Sequence, residues 1–143
     1  MTPKTHAGDT HISLAQRVVA SGAVVVTTPQ EVALADVRRS TQLLRTVDIP
    51  VLGVLENMSH HVCAACGHES AVFGAGGGAT LAAAEAAPLL ARVPLEEAAM
   101  AGGERGAPVT IAAPEAAAAA AYRNAACALA AALQLADAAA STA

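Results

Sequence analysis

The 143 residues contain no Trp, one Tyr and one Phe, and one lysine, Lys4. A core without large rings must be filled by Val, Leu, Ile and alanine, which favours helices lying close on a sheet. Charged residues make up 14% of the chain, well below the usual quarter. The net charge of −4 and the lack of any basic patch exclude a nucleic-acid partner. Apolar runs are too short to span a bilayer, so no membrane partner is expected. The first residues, "MTPKTHAGDT", lack the apolar centre of a signal peptide, and a cytoplasmic location is the default expectation. Absent too is any G-x-x-x-x-G-K-[ST] phosphate loop, because Lys4 has no glycine pattern before it.

What is present reads as one α/β domain. Asp9 can cap a short helix, "THISLAQRVVA". The β-branched run "AVVV" after Gly22 reads as a buried strand. "TPQE" at 28–31 has the form of a capping box with Thr28 as N-cap. The helix it opens places Leu34, Val37, Leu44 and Val47 near one face, with Arg38, Arg39 and Arg45 off it. "VLGVL" after Pro50 is a second buried strand, and strand, helix and strand make a βαβ unit with a parallel sheet. Further on, "ATLAAAEAA" reads as a helix, 88–93 as a strand and "LEEAAMAGG" as a short helix. Pro114 opens a long alanine-rich helix to about Leu135, with Tyr122, Ala126, Leu129 and Leu133 expected to face the sheet. Cys127 in that helix reads as a small buried thiol. The domain is expected over residues 5–135, with 136–143 as a flexible tail. Three strands make a thin sheet, and an uncovered strand edge invites association.

The chemistry concentrates in "ENMSHHVCAACGHESAVFGAGGG", residues 56–78. Ligands of open α/β sheets bind beyond the carboxyl ends of the strands, which is where Glu56 and Asn57 fall. An Asn amide can pair with a purine edge, although Asn also commonly satisfies turn backbone. Cys63 and Cys66 sit three residues apart, a spacing that points two thiolates at one metal or cluster. His60, His61 and His68 are nearby, but five candidates within nine residues leave little room for a local tetrahedron. There is no second Cys-x-x-Cys to complete a zinc ribbon. A symmetric dimer supplies four sulfurs on its twofold axis, which suits Fe–S or zinc. A thioredoxin-like role is weaker, since that motif opens a helix. "GAGGGA" at 74–79 fits a loose dinucleotide fingerprint, with Glu96 and Glu97 at a suitable distance. Only "SAVF" is available as its strand, so a tight glycine loop into a helix is the better reading.

The segments "GDTHISLAQ", "GAVVVTTPQEVALADVRRS", "VDIPVLGVLENMS", "VCAACGHES", "VFGAGGG", "PLLARVPLE" and "GAPV", in this order from about Thr5 to Leu133, resemble the C-terminal half of the Mrp/ApbC family. These are iron–sulfur cluster carriers among the deviant Walker P-loop ATPases, the superfamily of MinD and ParA. The resemblance implies a doubly wound α/β fold, here a partial P-loop NTPase-like sheet lacking its phosphate-loop half. It implies a homodimer and a bridging iron–sulfur cluster, of 4Fe–4S type, held by Cys63 and Cys66 and delivered to recipient apo iron–sulfur proteins. It also implies ATP in the full-length family, with Asn57 at the adenine and Pro94 near the base. Gly8 and Asp9 are what remains of the family's "PPGTGD". "CAAC" replaces a proline-containing turn, and His60 and His61 replace aromatics. The expectation is a truncated or split family member. The alternative functions are a small zinc-binding α/β structural protein and, as a third class, a nucleotide-binding oxidoreductase.

Phosphoryl transfer needs a lysine and backbone amides around the β- and γ-phosphates and a Ser/Thr on magnesium. The purified chain is therefore expected to show no magnesium-dependent ATP turnover in a phosphate-release assay. Turnover that is lost in Asn57→Ala would overturn that expectation.

Overall fold

The computed structural model describes residues 19–63 and 65–141. Of the helix expected over 10–20, residues 10–18 lie outside them, and Val19 and Ala20 are not helical. Three parallel strands form the main sheet: β1 (Ala23–Thr27), β2 (Val51–Glu56) and β5 (Leu89–Arg92), in the order β1-β2-β5. A small antiparallel hairpin, β3 (His61–Val62) with β4 (Glu69–Ser70), stands apart from it. The helices are α1 (Glu31–Thr46), α2 (Gly77–Ala84), α3 (Glu97–Glu104), α4 (Val109–Ala112) and α5 (Ala117–Ser141). Among the described residues, no helix is long and apolar enough to cross a membrane.

β2 runs through the centre and is apolar on both faces, as a strand covered from both sides must be. Val54 belongs to one core with Val25, Leu34, Leu81 and Ala82, under α1 and α2. Its neighbour Leu55 points the other way, into a core with Leu90, Val93, Val109 and the α5 alanines Ala118, Ala119 and Ala125. The layers are helix, sheet, helix. Among the described residues β1 is paired on one side only, and Val26 on it is 55% exposed.

α1 buries the expected face through Leu34, Val37 and Leu44, and adds Thr41. Its start differs from the capping-box expectation. Gln30 is the N-cap, no side chain caps the helix, and the Thr28 hydroxyl points at Gln30 Oε1, 3.3 Å away. Extended backbone at Gln30 moves the first turn beyond the reach of Thr28. α5 also differs. Tyr122 and Ala126 face outward, Leu129 and Leu133 are half-buried, and the seam runs through Ala118, Ala119 and Ala125. Alanines let the helix axis approach the sheet, and the Tyr ring has no room beneath it. Cys127 is exposed, not the buried thiol expected. The helix continues to Ser141, past Leu135.

Close approach also explains the glycines. A Cβ on Gly78 would lie 2.7 Å from Glu56 Cβ, and one on Gly77 would lie 2.8 Å from both Leu34 and the Pro29 carbonyl. Gly103, in α3, has open space around it. Gly78→Ala should therefore destabilise the fold by about 1–3 kcal/mol through overpacking. Gly103→Ala should stabilise it by about 0.4–1 kcal/mol through reduced freedom of the unfolded chain. Urea midpoints moving in the same direction for both variants would contradict this packing.

Candidate metal-binding turn and strand-end site

The carboxyl ends of β1, β2 and β5 meet at one rim. The Asn57 N–H donates to the Thr27 carbonyl (2.7 Å), and the Val93 N–H donates to the Glu56 carbonyl (2.8 Å). Ser59 is fully buried beside them and donates both its N–H (3.0 Å) and its hydroxyl (3.1 Å) to the Val93 carbonyl. The same hydroxyl lies in hydrogen-bond contact with His60 Nδ1, 2.8 Å away. The Leu95 N–H donates to the His60 carbonyl (2.7 Å), so the chain around Pro94 is held against the start of the hairpin. Pro94 itself is buried.

Asn57 is half-buried, and its Oδ1 accepts the Met58 N–H at 2.9 Å. That bond supports Met58 in a left-handed conformation, φ 53°. The turn role is thus real, and the amide NH2 has no hydrogen-bond partner among the described residues. Glu56 does not reach the rim, contrary to the expectation that it would sit where a ligand binds. It is 1% exposed and turns inward, accepting the Gly78 N–H at 2.5 Å and Arg92 Nε at 3.1 Å.

The cysteines lie in the hairpin turn. The Cys63 N–H donates to the His68 carbonyl (3.0 Å), and the Gly67 N–H donates back to the Cys63 carbonyl (2.8 Å), with Gly67 at φ +70°. What read as a polar loop is therefore a closed turn on two short strands. Cys63 is half-buried and Cys66 exposed. The Ala65 N–H, followed by the Cys66 N–H and thiol, donates to the Cys63 sulfur and holds its pKa below the ordinary thiol value, against a small opposing effect of burial. Two thiols in one turn, with N–H groups aimed at a sulfur, fit a thiolate-held metal or cluster. Among the described residues, no three His, Cys, Asp or Glu side chains gather to hold a metal ion. Among the described residues, His60, His61 and His68 are not grouped with the pair into such a set.

The dinucleotide reading also fails on geometry. Residues 71–73 form no strand, and Gly76 (φ +81°) simply leads into α2. Glu96 is engaged at the start of α5, where its oxygens accept the Ala117 (3.2 Å) and Ala118 (2.8 Å) N–H groups.

A family model described as ParA, the NUBPL iron-transfer P-loop NTPase, matches residues 2–130. The chain belongs to this family. It is 46% identical over 114 residues to an iron–sulfur cluster carrier protein of Pseudomonas fragi, covering 80% of this chain and 39% of that protein. The iron–sulfur cluster carrier protein of Escherichia coli K12 is 42% identical over 124 residues, covering 87% of this chain and 33% of that protein. The chain thus spans well under half the length of these relatives. Among solved structures, a nucleotide-binding protein of Archaeoglobus fulgidus in complex with ADP superposes with a TM-score of 0.61 at 28% identity, over 68% of this chain and 40% of that one. The cell-division ATPase MinD of Pyrococcus furiosus shares the fold, with a TM-score of 0.58 at 22% identity over 77% of this chain and 42% of that one.

Because its pKa is lowered, Cys63 should become thiolate at lower pH than an ordinary cysteine. Its alkylation by iodoacetamide, followed peptide by peptide, should have its pH midpoint below that of the same residue in the urea-unfolded chain. Equal midpoints would show that the turn does not stabilise the thiolate.

Proposed function

We propose that this chain supplies the cluster-binding part of an iron–sulfur cluster carrier and works as a homodimer. Cys63 and Cys66 of each copy hold one cluster, of 4Fe–4S type, which is cargo for recipient apo iron–sulfur proteins. The observation that carries this reading is the two-thiol turn with no third ligand grouped beside it. Two thiolates leave a four-coordinate centre half ligated, and a second copy provides the other two. The names of the relatives, iron–sulfur cluster carrier proteins of bacteria, support the cargo.

The free amide NH2 of Asn57 at the strand rim suits an adenine edge, with Pro94 held beside the same rim by the Ser59–Val93 and His60–Leu95 bonds. The A. fulgidus neighbour, a nucleotide-binding protein in complex with ADP, supports a nucleotide as the ligand. Such a carrier works in the cytoplasm.

Anaerobic reconstitution with iron and sulfide should give about one cluster per dimer, with roughly four thiolates engaged. Cys63→Ser and Cys66→Ser should each abolish the cluster and weaken the dimer, while Cys127→Ser should do neither. A full cluster on the Cys63 variant, or a loaded monomer, would overturn the bridging arrangement. Metal analysis of the protein as isolated showing zinc without iron would favour a structural zinc protein.

A further inference from the structure

Both cysteines lie in the segment between β2 and α2, and one buried side chain joins the two ends of that segment. The first end is sewn to the sheet by backbone: Asn57 to Thr27, Ser59 to Val93 and Leu95 to His60. The second end has no such seam. Among the described residues, the hydrogen bond tying residues 71–78 to the sheet is the one from the Gly78 N–H to Glu56 Oε2. The glycines at that end press directly on Glu56, Leu34 and Pro29. Glu56 Oε1 accepts from Arg92 at the end of β5, whose side chain is 48% exposed. One carboxylate thus connects the last residue of β2, the first turn of α2 and the end of β5, with the cysteine turn suspended between.

We propose that Glu56 is a positioning residue for the Cys63–Cys66 turn: its carboxylate fixes the far end of the cysteine-bearing segment, and through it the direction in which the two thiols face a second copy of the chain. This rests on the reading of the pair as metal ligands. The chemistry requires a carboxylate. Both its oxygens accept, and here each takes a different N–H donor. A glutamine offers one acceptor and one donor, so it can satisfy Gly78 or Arg92 but not both. Removing the Arg92 donor as well would let the glutamine oxygen serve Gly78 alone, with its NH2 turned toward water at the half-exposed Arg92 position.

The turn's own bonds, Cys63 to His68 and Gly67 to Cys63, do not involve Glu56. Its loss should leave the hairpin formed but poorly aimed. Glu85 is the natural control. It is also a buried carboxylate, 7% exposed, paired with Arg45 (2.6 Å) and the Thr41 hydroxyl (2.9 Å), but at the opposite end of α2.

The test uses cobalt(II), whose thiolate charge-transfer bands report sulfur ligation, together with hydrogen exchange on the metal-free chain. Glu56→Gln should weaken cobalt binding roughly tenfold, the low end for groups that position metal ligands, and speed exchange over residues 59–78 by a similar factor. Adding Arg92→Met to Glu56→Gln should restore both. Glu85→Gln should change neither. Wild-type behaviour of Glu56→Gln, an equal loss in Glu85→Gln, or a double variant no better than Glu56→Gln would each overturn the proposal. Failure of the wild-type chain to bind cobalt through sulfur would count against the metal-ligand reading itself, and the exchange rates would still decide whether Glu56 holds the segment.

Discussion

A carboxylate buried to 1% exposure is the constraint around which this fold is arranged. Left without partners, a buried charge costs several kcal/mol, so the surrounding chain must bring donors to it. It brings them from two directions. The start of α2 offers a backbone N–H, where the partial positive charge of the helix end also favours an anion. The end of β5 offers the Arg92 guanidinium. Meeting both demands brings β2 close to α2, and that closeness excludes a side chain at Gly78. In the run that fitted a loose dinucleotide fingerprint, Gly78 answers to the closeness of Glu56 and Gly77 to that of Leu34 and Pro29.

The same economy of space holds on the other face. A chain with one Tyr, one Phe and no Trp cannot fill a thick layer between sheet and helix. It thins the layer instead, and Ala118, Ala119 and Ala125 bring α5 down onto Leu55, Leu90 and Val93. Thin layers have little tolerance for added atoms. Tyr122 is consequently expelled to the surface.

How legible this was depended on contrast between neighbouring residues. β1, α1, β2 and β5 stood out because Val and Leu recur there at clear periods between turn residues. α5 was visible as a helix, but its buried face was not: with alanine on every side, four larger residues suggested a stripe, and the packing chose the smallest ones. The Cys63–Cys66 pair stood out as a candidate ligand pair by its spacing, yet nothing in "HHVCAACGHES" distinguished a loop from two-residue strands closing a turn. Glu56 and Asn57 looked alike at a strand end. The alternation of the pleat separates them, with Glu56 directed inward to Gly78 and Asn57 left at the rim.

The turn also treats its two sulfurs differently. Cys63 is half-buried and receives N–H donors from Ala65 and Cys66, which lower its pKa. Cys66 is exposed and belongs to the open side of the turn. Thiol exchange depends on access as well as on leaving-group basicity. On the proposed reading, an incoming thiolate from a recipient reaches the metal beside Cys66, the more exposed sulfur of the pair. A pair built for permanent storage would bury both sulfurs. On that reading, shielding one sulfur and exposing the other would keep a cluster bound while leaving it an exit.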